Sequence, residues 1–253
     1  MVPTKQHRCV HSSTCLCTKG HITEEVIFLV FNHLNWNPKS IVNLSRTCKW
    51  FEDLAKRVLW KEFCTKRAPK MILDLHSSGT HIMDGNWRAL GKLLICCSGN
   101  NCNNEDGLLF NDIQTIPSHF VPRPRFSRTS GKSFLLPQCR NDVLYVSDSC
   151  DHLDQGGEEE IGFFRGVFKS FANTRVKKML IGKRAPLHPT EVCPYCKVKM
   201  WDMVAAKMVP PSASWRLGAY EDCIECYVCL NGHVMGVCTL LPFSDTDADE
   251  ASE

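Results

Sequence analysis

From residue 22 onward apolar side chains recur at helical intervals. Val26, Ile27, Val30, Phe31 and Leu34 fall on one broad stripe of a helix. Thr23 stands where a helix cap belongs, with Glu24 and Glu25 in the first turn, at the positive end of the helix dipole. Asn37-Pro38 stops this helix and starts a second, since proline is tolerated in a first turn. The second helix turns Ile41 and Leu44 inward. A third carries Cys48, Phe51, Leu54 and Ala55 and ends near Leu59 and Trp60. Three short helices within residues 20–63 carry more apolar surface than so small a module can hide. The excess is expected to be an interface.

Beyond the third helix the pattern becomes mixed. Asn86 to Ile95 reads as an amphipathic helix, and residues 98–107, rich in Asn and Gly, as a loop. Residues 119–121, 133–136 and 143–146 have the composition of strands. The acidic stretch 148–160 reads as a loop, 161–171 as a helix and 176–181 as a strand. Residues 67–185 are therefore expected to form a small mixed α/β region.

Composition narrows the function classes. The 253 residues are 43% hydrophobic and 23% charged, ordinary for a globular protein, and the net charge of +3 is too mild to signal a nucleic-acid binder. The longest apolar run, Val26 to Phe31, is six residues, against the roughly 20 that span a bilayer. The basic start MVPTKQHRCVHSS has no apolar core of a signal peptide, and Val2 stands where myristoylation needs glycine. Cytosol or nucleus is the expected compartment, with no membrane partner. Catalytic motifs fail on inspection. Gly131-Lys132-Ser133 lacks the earlier glycine of a phosphate loop, because Phe126 stands there. There is no Gly-x-Ser-x-Gly elbow, and Asp148, Asp151 and Asp154 do not have calcium-loop spacing. The basic stretches at 122–132 and 175–184 suit a solvated hairpin and an exposed strand, or, for the second, a nuclear-import patch.

Sixteen cysteines in a reducing compartment point to buried thiols and metal ligands rather than disulfides. Cys193-Pro-Tyr-Cys196 has the spacing that lets two thiolates grip one Zn²⁺ from a tight turn. Cys229 and His233, in Cys-Leu-Asn-Gly-His, are read as the second pair, since Gly232 lets the chain turn just before the histidine. Cys226 with Cys229 is the competing pair, and Cys223 and Cys238 are further alternatives. A four-ligand site of this kind is closed to water and structural. The N-terminal arm offers a second, weaker set in Cys9, Cys15, Cys17 and His21. The end of the chain, DTDADEASE, reads as a disordered, solvating tail.

The helical stretch resembles an F-box. The matching residues are Ile22, Glu25, Val26 and Ile27, then Val30-Phe31 and Leu34. Ser40-Ile41, Leu44, Cys48-Lys49, Phe51, Leu54 and Leu59-Trp60 follow in the same order. Thr23 stands where proline is usual, and Thr47 where valine is usual, polarising a position expected to be buried. Further segments extend the likeness along nearly the whole chain, among them TKQHRCVHSSTCLCTKGH, VLWKEFCTKRAPKM, DGNWRALGKLL, RFSRTSGKSFLLPQC, DVLYVSD, FRGVFKSF and CPYCKVKMW with YVCLNGH. Together they resemble the plant F-box proteins related to the "Empfindlicher im dunkelroten Licht" protein, a negative regulator of phytochrome A signalling.

The resemblance implies a nuclear, non-catalytic substrate-recognition subunit of an SCF-type ubiquitin ligase, acting in light or abscisic acid responses. Its adaptor face would use Ile22, Val26, Ile27, Val30, Phe31, Leu34, Pro38, Ile41, Leu44, Cys48, Leu59 and Trp60 on a Skp-type adaptor, and through it a cullin. A zinc-stabilised DNA- or chromatin-binding regulator is the alternative reading. The expected fold is α+β: a basic Cys/His-rich arm (1–19), a three-helix F-box (20–66), the mixed α/β recognition region (67–185), a zinc-ribbon-like hairpin module (186–243) and the acidic tail (244–253).

Overall fold

The computed structural model describes residues 22–77, 86–97, 120–121, 125–130, 134–153 and 160–241. The N-terminal arm, the expected 98–107 loop and the acidic tail lie outside the described residues, and with them Cys9, Cys15, Cys17 and His21.

The helical pattern is realised as α1 (Glu24–His33), α2 (Pro38–Ser45) and α3 (Lys49–Leu54). Between α1 and α2 the chain reverses through Asn35 and Trp36, both at positive φ. The strain is held by Trp36, which is buried, stacks on Phe31 at 5.8 Å and donates its indole N–H to Asn32 at 3.0 Å. Asn37 caps α2 by accepting the Lys39 N–H. The third helix does not end at Leu59-Trp60 as expected. It widens into one π-type turn over Ala55–Leu59 and continues as α4 (Trp60–Arg67), because Leu59, Trp60 and Phe63 go on burying the same face. Thr47 is exposed rather than buried, and its hydroxyl donates to the Leu44 carbonyl at 2.8 Å. Two further helices, α5 (Pro69–His76) and α6 (Trp87–Ile95), complete the helical layer. The sixth is buried on nearly all sides.

The remaining described elements are β1 (Phe126–Ser130), β2 (Val143–Ser147), β3 (Cys150–Leu153), β4 (Glu160–Phe168), α7 (Arg175–Gly182), β5 (Leu187–Val192), β6 (Lys199–Asp202), α8 (Ser212–Leu217), β7 (Ala219–Cys229) and β8 (His233–Leu240). Four stretches overturn the pattern reading. Within 148–160, read as a loop, Cys150–Leu153 form β3. Residues 161–171, read as a helix, form β4, and both faces of the strand are covered, which erases the alternation. Its glycines mark close approaches: a Cβ on Gly166 would sit 2.5 Å from the Tyr145 carbonyl. Residues 176–181, read as a strand, form α7. Thr174 caps it, and Asp142 accepts the N–H groups of Arg175 and Val176 from a distant loop. Residues 134–136, read within a strand, are bent backbone that leads into a 3₁₀ turn at Pro137–Cys139.

One eight-stranded antiparallel sheet runs in the order β1-β2-β4-β8-β7-β6-β5, with β3 sharing the β2 edge of β4. β4 pairs with β8 from Ile161 opposite Thr239 to Val167 opposite His233, so the sheet crosses the division expected near residue 186. Helices cover both faces. Tyr145, Val167, Met200 and Met235 join the core of α1–α6, whereas Phe164, Phe168, Val228 and Val234 pack with Val176, Leu180 and Leu217 of α7 and α8.

Two polar clamps join the helical layer to the sheet. Asp74 on α5 accepts hydrogen bonds from Tyr145 (2.7 Å), Lys169 (2.7 Å) and Arg128 (3.2 Å). The buried Arg165 of β4 donates from Nε to the Leu93 carbonyl at 2.6 Å and from Nη2 to the Leu94 carbonyl at 3.3 Å, filling acceptors that the end of α6 leaves open.

Candidate functional site

The residues expected at an adaptor face divide in two. Ile22, Val26, Val30 and Leu34 line one side of α1 and are each about half exposed. Leu44 is half-buried and Cys48 exposed. By contrast Ile27, Phe31, Ile41, Leu59 and Trp60 are buried in the helical core, and Pro38 is buried at the start of α2. The five core side chains hold the helices together and leave little surface of their own. Sequence reasoning missed Leu29, which is 60% exposed and completes the stripe. Its i+3 spacing from Val26 was the available signal. Exposed, contiguous apolar side chains of this kind mark an interaction face.

In the C-terminal part of the chain two turns bring four possible ligands together. In the first, the Lys197 N–H bonds to the Cys193 carbonyl (2.8 Å) and the Cys193 N–H to the Val198 carbonyl (2.9 Å), which aims both thiols one way. In the second, Gly232 at φ 86 reverses the β7–β8 hairpin, and its N–H bonds to the Cys229 carbonyl at 2.8 Å. A Cβ there would meet Phe171 at 2.5 Å, so the position needs glycine twice over. The His233 N–H also points at the Cys229 sulfur, 3.2 Å away.

The ligand atoms of Cys193, Cys196, Cys229 and His233 all lie within 4.8 Å of one another. His233 Nδ1 is 3.3 Å from Cys196 Sγ, 3.5 Å from Cys229 Sγ and 3.8 Å from Cys193 Sγ, and the Cys196 and Cys229 sulfurs are 3.6 Å apart. Metal–sulfur bonds of about 2.3 Å and a metal–nitrogen bond of about 2.0 Å at tetrahedral angles give edges of about 3.8 Å and 3.5 Å. The donor set fits a tetrahedral ion. Its electrostatics fit as well. Burial pushes the Cys193 thiol up, while hydrogen bonds from Cys193 and Cys229 hold Cys196 far below the usual thiol range. Burial opposes charge on His233, yet the hydrogen bonds and charge of Cys196 and Cys229 outweigh it and push the imidazole up to about 9. Four donors competing for protons in one buried space are what a bound cation relieves.

The alternative cysteines go elsewhere. Cys226 turns to the opposite face of β7, its thiol 3.8 Å from the Met203 sulfur. Cys238 bonds to the Gly162 carbonyl at 3.4 Å. Cys223 lies on β7.

Comparison with known proteins places these features. An F-box-like family model matches residues 24–66, and the model described as the EID1-like F-box protein 2 C-terminal domain matches residues 107–239. EID1-like F-box protein 2 of Arabidopsis thaliana is 66% identical over 98% of both chains. The chain belongs to the EID1-like F-box family. EID1-like F-box protein 1 of the same plant is 62% identical over the whole chain and 85% of that relative. The Phytochrome A-associated F-box protein of Arabidopsis is 31% identical over 46% of this chain and 34% of its own length. No solved structure matches. In this EID1-like F-box chain the F-box-like match begins at α1 and ends within α4. The C-terminal model spans β1 to β8 as one unit, in agreement with a sheet that crosses residue 186.

Proposed function

We propose that this chain is the substrate-recognition subunit of an SCF-type ubiquitin ligase. The exposed stripe of Ile22, Val26, Leu29, Val30 and Leu34 carries the reading, because a half-exposed apolar row within an F-box-like region is the surface a Skp-type adaptor would cover. The adaptor would tether a cullin, and the sheet-bearing half would hold a target protein near the ubiquitin-charged enzyme. Raising effective concentration is then the chain's whole contribution, with no bond chemistry of its own. The name of the phytochrome A-associated relative supports a role in plant light signalling, and abscisic acid responses are the other pathway consistent with the resemblance.

The four-ligand cluster is proposed to hold zinc, a closed structural ion with Cys₃His ligation. Such an ion would add folding free energy and leave no open position for a reacting water. Nuclear residence is proposed from the basic stretch 175–184, where Arg175, Lys178 and Arg184 are exposed. A fluorescent fusion with these three changed to glutamine should leave the nucleus, and unchanged distribution would refute the patch.

Co-purification with a Skp-type adaptor tests the main reading. Val26→Asp with Val30→Asp should abolish capture while the circular dichroism spectrum stays that of the wild type. Retained capture, or salt-sensitive duplex DNA binding indifferent to both changes, would overturn it in favour of a nucleic-acid role.

A further inference from the structure

The Cys193–Cys196 turn meets the helical layer at the end of α6. Tyr195 lies inside the first turn, between Cys193 and Cys196, and is buried. Its ring meets the His233 imidazole edge-on at 5.9 Å, and its hydroxyl reaches the Cys96 carbonyl, one residue past α6, at 3.4 Å. Arg165 holds the Leu93 and Leu94 carbonyls beside it. Along the same helix, Gly91 sits so close to Trp60 of α4 that a Cβ would fall 2.5 Å from the indole. The sixth helix is thus seated against the F-box core along its length and against the metal turn at its end. Cys193, Tyr195 and Cys229 belong to the same apolar core as Phe31, Leu59 and Trp60.

Apart from the burial of Cys193 and Tyr195, the first turn carries few restraints of its own. Two backbone hydrogen bonds close it, and Lys197 is held at φ 63, a costly conformation for a side-chain-bearing residue. We infer that the ion is the keystone of the joint between the adaptor-facing helices and the recognition sheet. Ligation fixes Tyr195, Tyr195 fixes the end of α6, and α6 sets where α4 and the helices before it stand on the sheet. The inference rests on the metal reading above. Asp74 ties α5 to the sheet independently of the ion, so loss of the ion loosens the joint rather than separating its halves.

The test uses the full chain and zinc. Metal content is measured first: a protein carrying no zinc refutes the metal reading itself, and the inference falls with it. Hydrogen–deuterium exchange is then compared between loaded and chelator-stripped protein. Stripping should speed exchange over residues 87–97 at least tenfold while α7 (Arg175–Gly182) keeps its protection. Acceleration confined to the two ligand turns, with 87–97 unchanged, overturns the inference. Should stripping unfold the entire chain, Tyr195→Leu decides. That variant should keep one zinc per chain and still exchange faster over 87–97, whereas wild-type protection there overturns the proposal.

Discussion

Asp74 receives a phenol, an ammonium and a guanidinium on one carboxylate. The hydrogen bonds of Lys169 and Tyr145 lead in holding its pKa down at about 2, against an ordinary value of 3.8. A carboxyl whose folded pKa is depressed stabilises the fold fully above its ordinary value and loses that contribution as pH falls through the folded one. Denaturant midpoints should therefore decline as pH drops from about 4 toward 2. Asp74→Asn should remove this part of the decline and cost roughly 1–2 kcal/mol at neutral pH. A wild-type acid limb retained in Asp74→Asn would assign the decline to other groups. Nothing local in the sequence announces Asp74, since Tyr145 and Lys169 reach it only through the sheet. Tyr195 is similar: its neighbours are ligands by spacing, but its own task depends on where α6 ends.

At the scale of elements, legibility followed how many faces a segment buries. The first helix buries one face, so its period of 3.6 is visible, and the structure only adds which apolar residues stay outside. Phe31→Ala should cost about 3–5 kcal/mol by opening the core. Leu29→Ala on the exposed stripe should stay within about 0.5 kcal/mol. Equal losses in chemical denaturation would contradict the division between core and face. β4 buries both faces, so its apolar run carried no period and read as a helix. In α7 the sequence showed basic residues suited to a strand, while the caps from Thr174 and the distant Asp142 decide for a helix. The metal turns were legible because thiol spacing and Gly232 are local facts. Choosing Cys229 with His233 over Cys226 required only strand parity, which puts Cys226 on the other face of β7.

Across the whole molecule, the expected α+β fold is present, and its helical and sheet segments form layers that share their cores. The helical layer and one face of the sheet form one apolar cluster that includes Cys193 and Cys229 of the four-residue Cys/His group. Thermal unfolding followed by tryptophan fluorescence and by far-ultraviolet circular dichroism should accordingly give coincident transitions. Two separated transitions would show that the layers fold independently.

The pairing of β4 with β8 has a bearing on how the protein is made. Helices α1 to α4 are built from contacts near in sequence and can form soon after they leave the ribosome. The sheet cannot close until β8, the last described strand, has been synthesised and has inserted between β4 and β7. A nascent chain thus passes through a stage at which its F-box helices can be complete while the edge of β4 is bare. Chains interrupted before residue 233 would be held at that stage, with an open sheet edge ready to pair with another strand.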